Sequence, residues 1–254
     1  MKSEIISNFL QERIEAKDFP SAVYLVAEKG EIVLQDALGF AVVEPEEIEA
    51  KIDTIYDLAS LTKSLVTGLL CAKLIEQNKL KFEDKLFQFF ILFNREQKSK
   101  ITVRNLLTHT SGFPAWLPFY LITDTCLRSI YLSFIADEQL QTEPQTQVVY
   151  SDLNFLILTF LIERFYNNKI DKIATENIFE LLKLQNTFYN PPKELQNRIG
   201  ASEKGNEFEK QTCIEQDYLK PSATADGSDK FRDYQIWGEV HDGNCYFMNG
   251  VSGH

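Results

Sequence analysis

The hydrophobic pattern changes period at residue 21, and that change confines the chain to folds that lay a sheet against helices. Residues 3 to 16 space Ile5, Ile6, Phe9, Leu10 and Ile14 along one face of an amphipathic helix, with Pro20 beyond its end. Ala22-Val23-Tyr24-Leu25-Val26 and Ile32-Val33-Leu34 then read as two strands joined through Glu28-Lys29-Gly30-Glu31. After an acidic loop from Glu44 to Glu49 the helical period returns. Leu65, Val66, Leu69, Leu70, Leu74 and Ile75 share the apolar side of a helix that follows Ser60 and ends at Asn78-Lys79.

The middle of the chain stays helical. Thr102 caps a short helix that the turn Ser111-Gly112-Phe113-Pro114 stops, and further helical pattern runs through Ile135. A polar loop from Gln139 to Val148, containing Pro144, delivers Tyr150-Ser151-Asp152 to a helix over Leu153 to Phe165. Ile170 to Leu184 is a further amphipathic helix, and Asn190-Pro191-Pro192 closes the helical part. Glu194 to Lys230 is polar and weakly patterned, with small turn residues from Ala223 to Ser228, and reads as loop. No internal repeat is visible. The expected organisation is one domain in three stretches: helix and strands over 1-58, a mostly helical region over 59-190, and a loop-rich return over 191-254.

With 254 residues, 44% of them hydrophobic, the chain can bury roughly 70 to 75% of its unfolded surface and hold a sizeable core. Its net charge of -11 argues against nucleic acid or an anionic lipid surface as partner, because both require clustered positive charge. Cys71, Cys126, Cys213 and Cys245 are widely spaced, which suggests buried reduced thiols rather than a zinc site or a disulfide framework. Three scattered histidines outline no metal site, and His254 has no readable role. Met1 to Ile6 contains no apolar signal region, and the run Leu153 to Ile162 is too short to span a bilayer. The expectation is a cytoplasmic protein with no membrane insertion, no metal and no cofactor; the oligomeric state is unknown.

The chemistry is carried by Ser60-Leu61-Thr62-Lys63, where a hydroxyl and an amine three residues apart share one helix face. That spacing suits a serine nucleophile with a lysine partner, provided that burial or a nearby cation frees part of the amine. Ala59, Leu61, Leu65 and Val66 are the neighbours that would bury it. By itself the tetrapeptide is common, and such a match is more often a helix start with an exposed lysine than a site. Tyr150 offers a phenol that could relay a proton, or a half-buried structural ring. His109 reads as a turn residue.

Three further stretches make the pattern specific. Ile101 to Pro114 spells I-T-V-R-N-L-L-T-H-T-S-G-F-P, Tyr150-Ser151-Asp152 approximates Y-x-N, and Gly238 to Asn244 reads G-E-V-H-D-G-N. Together with Ser60-Leu61-Thr62-Lys63, and with Glu180 to Tyr189 closing the helical region, they resemble the serine β-lactamase and penicillin-binding-protein superfamily, in particular its class C β-lactamase-like serine hydrolases. The resemblance covers nearly the whole chain. It implies an α/β (α+β) β-lactamase/transpeptidase-like fold, an antiparallel sheet with flanking helices plus a mostly helical region. It also implies two-step acyl transfer on a small-molecule ester, amide or peptide-like substrate. In that reading Ser60 attacks, Lys63 and Tyr150 manage the proton, and Asp152 and Asn154 face the substrate.

Two departures from the family pattern bear on competence. Asp152 stands where an Asn is common, and a carboxylate beside Lys63 favours the ammonium over the free amine. This shifts the proton to Tyr150 or favours esters over amides, while Asn154 supplies an amide if the helix already includes Tyr150. The second departure is at the end: the sequence stops at Gly250-Val251-Ser252-Gly253-His254, before the family's K-T-G or H-x-G strand, so the last strands are expected to be missing. Losing one oxyanion donor can cost about 10² to 10³ in rate. His241-Asp242-Gly243 spells H-x-G but aligns with the earlier V-H-D element, and a Ser60-His241-Asp242 triad would need adjacent residues to act in series. The alternative function is a catalytically inactive truncated homologue, or a binding module that retains the pocket.

Overall fold

The computed structural model describes residues 2-219 and 228-253, which form two compact units. The first comprises the segments up to Asp57, Asn190–Phe208 and Phe231–His241. Its helix α1 (Glu4–Glu15) starts where the Ser3 hydroxyl accepts the Ile6 N–H, as a Ser N-cap should. Strands β1 (Ser21–Glu28) and β2 (Glu31–Val42) form an antiparallel hairpin around Lys29-Gly30, both residues at positive φ. The short strand β3 (Ile48–Glu49) pairs with β2 on its other side, giving the order β1-β2-β3.

Strand β2 is far longer than its Ile32 to Leu34 apolar signal. It keeps pairing through Gln35, Asp36 and Gly39, two polar side chains and a glycine that hide the alternation. Asp36 accepts a hydrogen bond from the Ser7 hydroxyl at 2.7 Å, which ties α1 to the sheet through a polar contact. The later segments of this unit add backbone bonds from Ile55 N–H to the Arg198 carbonyl and from Gly200 N–H to the Ile55 carbonyl.

The second unit comprises Leu58–Tyr189, Glu209–Lys230 and the stretch from Asp242 onward. Lys63–Gly68 forms a π-helical turn that runs into α2 (Leu69–Glu76). Then come α3 (Leu86–Phe89), α4 (Val103–Leu107), α5 (Phe119–Ile122), α6 (Arg128–Asp137) and α7 (Asp152–Tyr166). Every residue of α7 from Leu153 to Glu163 is buried, so this helix is the axis of the core, packed against Val66, Leu70, Leu74, Leu106 and Phe113 among others. Its polar exit is neutralised: Glu163 accepts two bonds from the Arg128 guanidinium, at 3.0 and 3.2 Å, and one from Ile170 N–H. Breaking such a buried pair from one side costs about 3 to 5 kcal/mol.

Several sequence expectations change in detail. The helix expected over Ile170 to Leu184 is α8 (Ile170–Ala174) continued by a π-helical stretch, Thr175–Phe179. The polar segment from Glu194 is not all loop: Lys193–Arg198 is a 3₁₀ turn and α9 (Glu207–Glu215) buries Glu209 and Cys213. Residues 223-227 of the small-residue turn and His254 lie outside the described residues. A last short helix, α10 (Gly243–Phe247), is capped by the Asp242 carboxylate. Cys71, Cys213 and Cys245 are buried free thiols, as expected, whereas Cys126 is exposed. Among the described residues no helix is long and apolar enough to cross a membrane.

Candidate active site

Ser60 is presented by a tight turn. Ala59 sits at φ 44, a left-handed conformation that costs a non-glycine residue energy, and its carbonyl accepts the Thr62 N–H. Ser60 is exposed, and its carbonyl accepts the Lys63 N–H at 3.1 Å, so one turn of helix brings the two side chains together. Lys63 Nζ donates to Ser60 Oγ at 2.9 Å.

Lys63 is only 3% exposed, but the residues expected to bury it do not all do so. Leu61 and Leu65 are 60% and 52% exposed, and only Val66 is buried. The ammonium is enclosed instead by residues distant in sequence. Asp152 Oδ1 lies 2.7 Å from Nζ, and the rings of Tyr150 and Phe155 have centroids 5.1 and 5.8 Å from it. The Asp152 carboxylate occupies the first turn of α7, where the helix dipole also favours a negative charge.

The I-T-V-R-N-L-L-T-H-T-S-G-F-P stretch builds the wall that holds Tyr150. Thr102 Oγ1 accepts the Asn105 N–H while Asn105 Oδ1 accepts the Thr102 N–H, a reciprocal cap that starts α4. Beyond α4 the chain lies beside residues 141 to 152. Gln141 N–H donates to the Gly112 carbonyl, Gln145 N–H to Thr110, Val149 N–H to His109, and Asp152 N–H to Ala115. Ser151 Oγ donates to the Pro114 carbonyl at 2.6 Å. Gly112 has φ 87, and a Cβ there would sit 2.1 Å from the Thr142 carbonyl oxygen, so only glycine permits this approach.

Tyr150 is 52% exposed and stacks on the His109 ring, centroids 4.4 Å apart. Asn154 is placed differently from the sequence expectation. Helix α7 begins at Asp152, so Tyr150 precedes it and the one-turn alignment of Asn154 with Tyr150 does not form. Asn154 is fully buried and its Oδ1 accepts the Ser111 hydroxyl at 2.6 Å. His241 Nε2 lies 2.7 Å from Glu203, and Asp242 accepts the Cys245 N–H, so both have other partners.

A family model for beta-lactamase matches residues 6-244. The chain belongs to the beta-lactamase family. Among curated relatives, a putative D-alanyl-D-alanine carboxypeptidase of Salmonella gallinarum is 30% identical, the match covering 98% of this chain and 59% of the relative. Its counterpart in Salmonella typhimurium matches to the same extent. The chain therefore spans less than two thirds of the length of these relatives. A class C beta-lactamase from Rhodobacter sphaeroides has the same fold, with TM-score 0.68 at 20% identity, over 80% of this chain and 55% of that one. An octameric penicillin-binding protein homologue from Pyrococcus abyssi gives TM-score 0.67 at 21% identity, over 79% of this chain and 48% of that one. The β-lactamase/transpeptidase-like fold, with its small antiparallel sheet and flanking helices, is thereby established.

One residue of this beta-lactamase-family site escaped the sequence reading. His109 looked like a turn residue, and it does hold a turn conformation at φ 55, but its ring also packs against both Tyr150 and Phe155. The distance of His109 from Tyr150 along the chain left no local signal for that contact. Burial and the Lys63 ammonium hold its imidazole below the ordinary histidine range, with the Asp152 carboxylate pulling the other way.

Proposed function

We propose that this protein is a serine hydrolase that works through an acyl-enzyme on a small peptide-like, amide or ester substrate. The observation that carries the reading is the contact of Lys63 Nζ with Ser60 Oγ at 2.9 Å, made beside the Asp152 carboxylate and the Tyr150 ring. Ser60 is the nucleophile. Lys63, paired with Asp152, acts as a fixed cation that orients the serine hydroxyl and lowers the cost of the developing alkoxide. Tyr150, the more exposed partner, relays the proton: its hydroxyl oxygen accepts the serine proton while its own proton goes to the leaving group. Water then releases the acyl group. Asp152 orients Lys63, and Asn154 supports the Ser111-Gly112 turn from behind.

The class of substrate is supported by the curated relatives, which are named putative D-alanyl-D-alanine carboxypeptidases. A second reading is favoured by the Lys63 to Asp152 pair: if the ammonium never yields its proton, the site acylates or binds without turning over. Turnover of p-nitrophenyl acetate and of a diacyl-Lys-D-Ala-D-Ala peptide, compared with Ser60→Ala, tests the first reading. Release of nitrophenolate or D-alanine that disappears in Ser60→Ala supports hydrolysis. A single burst without turnover supports the second reading, and equal rates in both proteins overturn the assignment of Ser60.

A further inference from the structure

His109 contacts Tyr150 and both of its chain neighbours. Its face stacks on the phenol ring at 4.4 Å and 29°. Its Nδ1 accepts the N–H of Ser151, the residue after Tyr150, at 3.0 Å. Its own carbonyl accepts the N–H of Val149, the residue before, at 2.9 Å. The imidazole also packs on Phe155 in α7, centroids 5.2 Å apart, so the ring contacts both a fixed core side chain and the exposed phenol. Neither Val148 nor Tyr150 is otherwise buried, at 75% and 52% exposed, and a half-exposed loop residue needs such a brace to hold one rotamer.

From this geometry we infer that His109 is the positioning residue for Tyr150: a clamp that fixes the phenol against the Lys63 ammonium, and that closes only when Nδ1 carries its lone pair. The inference rests on the proposed role of Tyr150 as proton carrier. An imidazole that accepts from Ser151 keeps its one proton on Nε2. Protonation of Nδ1 would set two donors face to face and add a cation close to Lys63. The charged groups acting on the ring from packed elements are Lys63 on the π-helical turn and Asp152 on α7, with the Tyr150 phenol against its face. Burial and Lys63 both favour the neutral ring, so the clamp is closed at neutral pH.

Two variants separate the side chain's role from the backbone's, because both accept the left-handed φ 55 of residue 109. His109→Gly removes ring and acceptor; His109→Asn removes the ring but keeps an acceptor near the Nδ1 position. Acylation of Ser60 by a fluorophosphonate is expected to slow by about 10²-fold in His109→Gly, the cost of a misplaced catalytic group, with at least about tenfold recovered in His109→Asn. Equal rates in wild type and His109→Gly, or no recovery in His109→Asn, overturn the clamp. An activity-free arm uses ¹³C-tyrosine and ¹⁵N-histidine spectra. Tyr150 ring resonances are expected to carry the stacking shift, to lose it in His109→Gly and to lose it as His109 titrates, with thermal melting confirming that the variant is folded. Tyr150 resonances that ignore His109 overturn the clamp whatever the activity. A wild-type protein that gives no adduct refutes the hydrolase reading, and the Tyr150 resonances alone then decide the clamp.

Discussion

Asp152 Oδ1 sits 2.7 Å from Lys63 Nζ, and the same ammonium donates to Ser60 Oγ at 2.9 Å. The nucleophile is thus attached to the helical core through a buried ion pair, with 4% of the lysine side chain and 18% of the aspartate side chain exposed. That contact fixes the lysine amine in place, and the proposed proton movement is assigned to Tyr150, the more exposed of the two side chains.

Asp152→Asn preserves shape and removes the charge. Freed from its counter-ion, Lys63 is expected to share the base role, and acylation by an amide-like probe at pH 7 should rise by roughly an order of magnitude relative to an ester probe. Asp152→Ala leaves the buried ammonium unpaired and should cost about 3 kcal/mol in urea unfolding. Stopped-flow acylation with both probe types and equilibrium unfolding check the two halves; an unchanged probe ratio in Asp152→Asn contradicts the role given to the carboxylate.

Gly112→Ala is expected to damage the site from a distance. The new Cβ meets the Thr142 carbonyl at 2.1 Å and the backbone sits at φ 87, so the variant should lose at least about 2 kcal/mol and loosen the 141 to 152 segment that carries Tyr150. Urea midpoints report the first effect, and hydrogen exchange at the Val149 and Ser151 amides, which both bond to His109, reports the second.

The wall around the site was legible before the fold was seen, and the reasons are local. Thr102 spells a cap, Ser111-Gly112-Phe113-Pro114 spells a stop, and the apolar run from Leu153 spells a helix. What stayed hidden depends on contacts between remote segments. Leu61 and Leu65 looked like the cover of Lys63 because they neighbour it in sequence, yet Asp152, Tyr150 and Phe155 enclose it. Strand β2 was underestimated because Gln35 and Asp36 interrupt its apolar alternation, and α9 because its weakly amphipathic pattern resembles loop.

The folded protein lowers the proton affinity of His109, and this linkage has a definite sign. Its contribution to stability is fully present above the ordinary histidine value of about 6.5 and is lost as pH falls through the lower folded value. The difference in unfolding free energy between wild type and His109→Asn should therefore shrink from pH 7.5 to pH 5. A difference that grows on acidification contradicts a neutral, accepting ring.

Thiol chemistry gives an independent check on the packing. Cys126 is exposed, while Cys71, Cys213 and Cys245 are buried, and burial pushes the Cys71 thiol up to about 12 and the Cys213 thiol up to about 11. Ellman's reagent on the native protein is expected to modify Cys126 rapidly and the other three only after unfolding. Rapid reaction of all four, with Cys126→Ser making no difference, contradicts the buried core around α2 and α9.

The most direct measurement is the mass of the native protein after incubation with a fluorophosphonate or a fluorescent penicillin, followed by peptide mapping. One adduct per chain is expected, on the peptide that contains Ser60, absent from Ser60→Ala. No adduct on the folded protein, or an adduct that persists in Ser60→Ala, contradicts it.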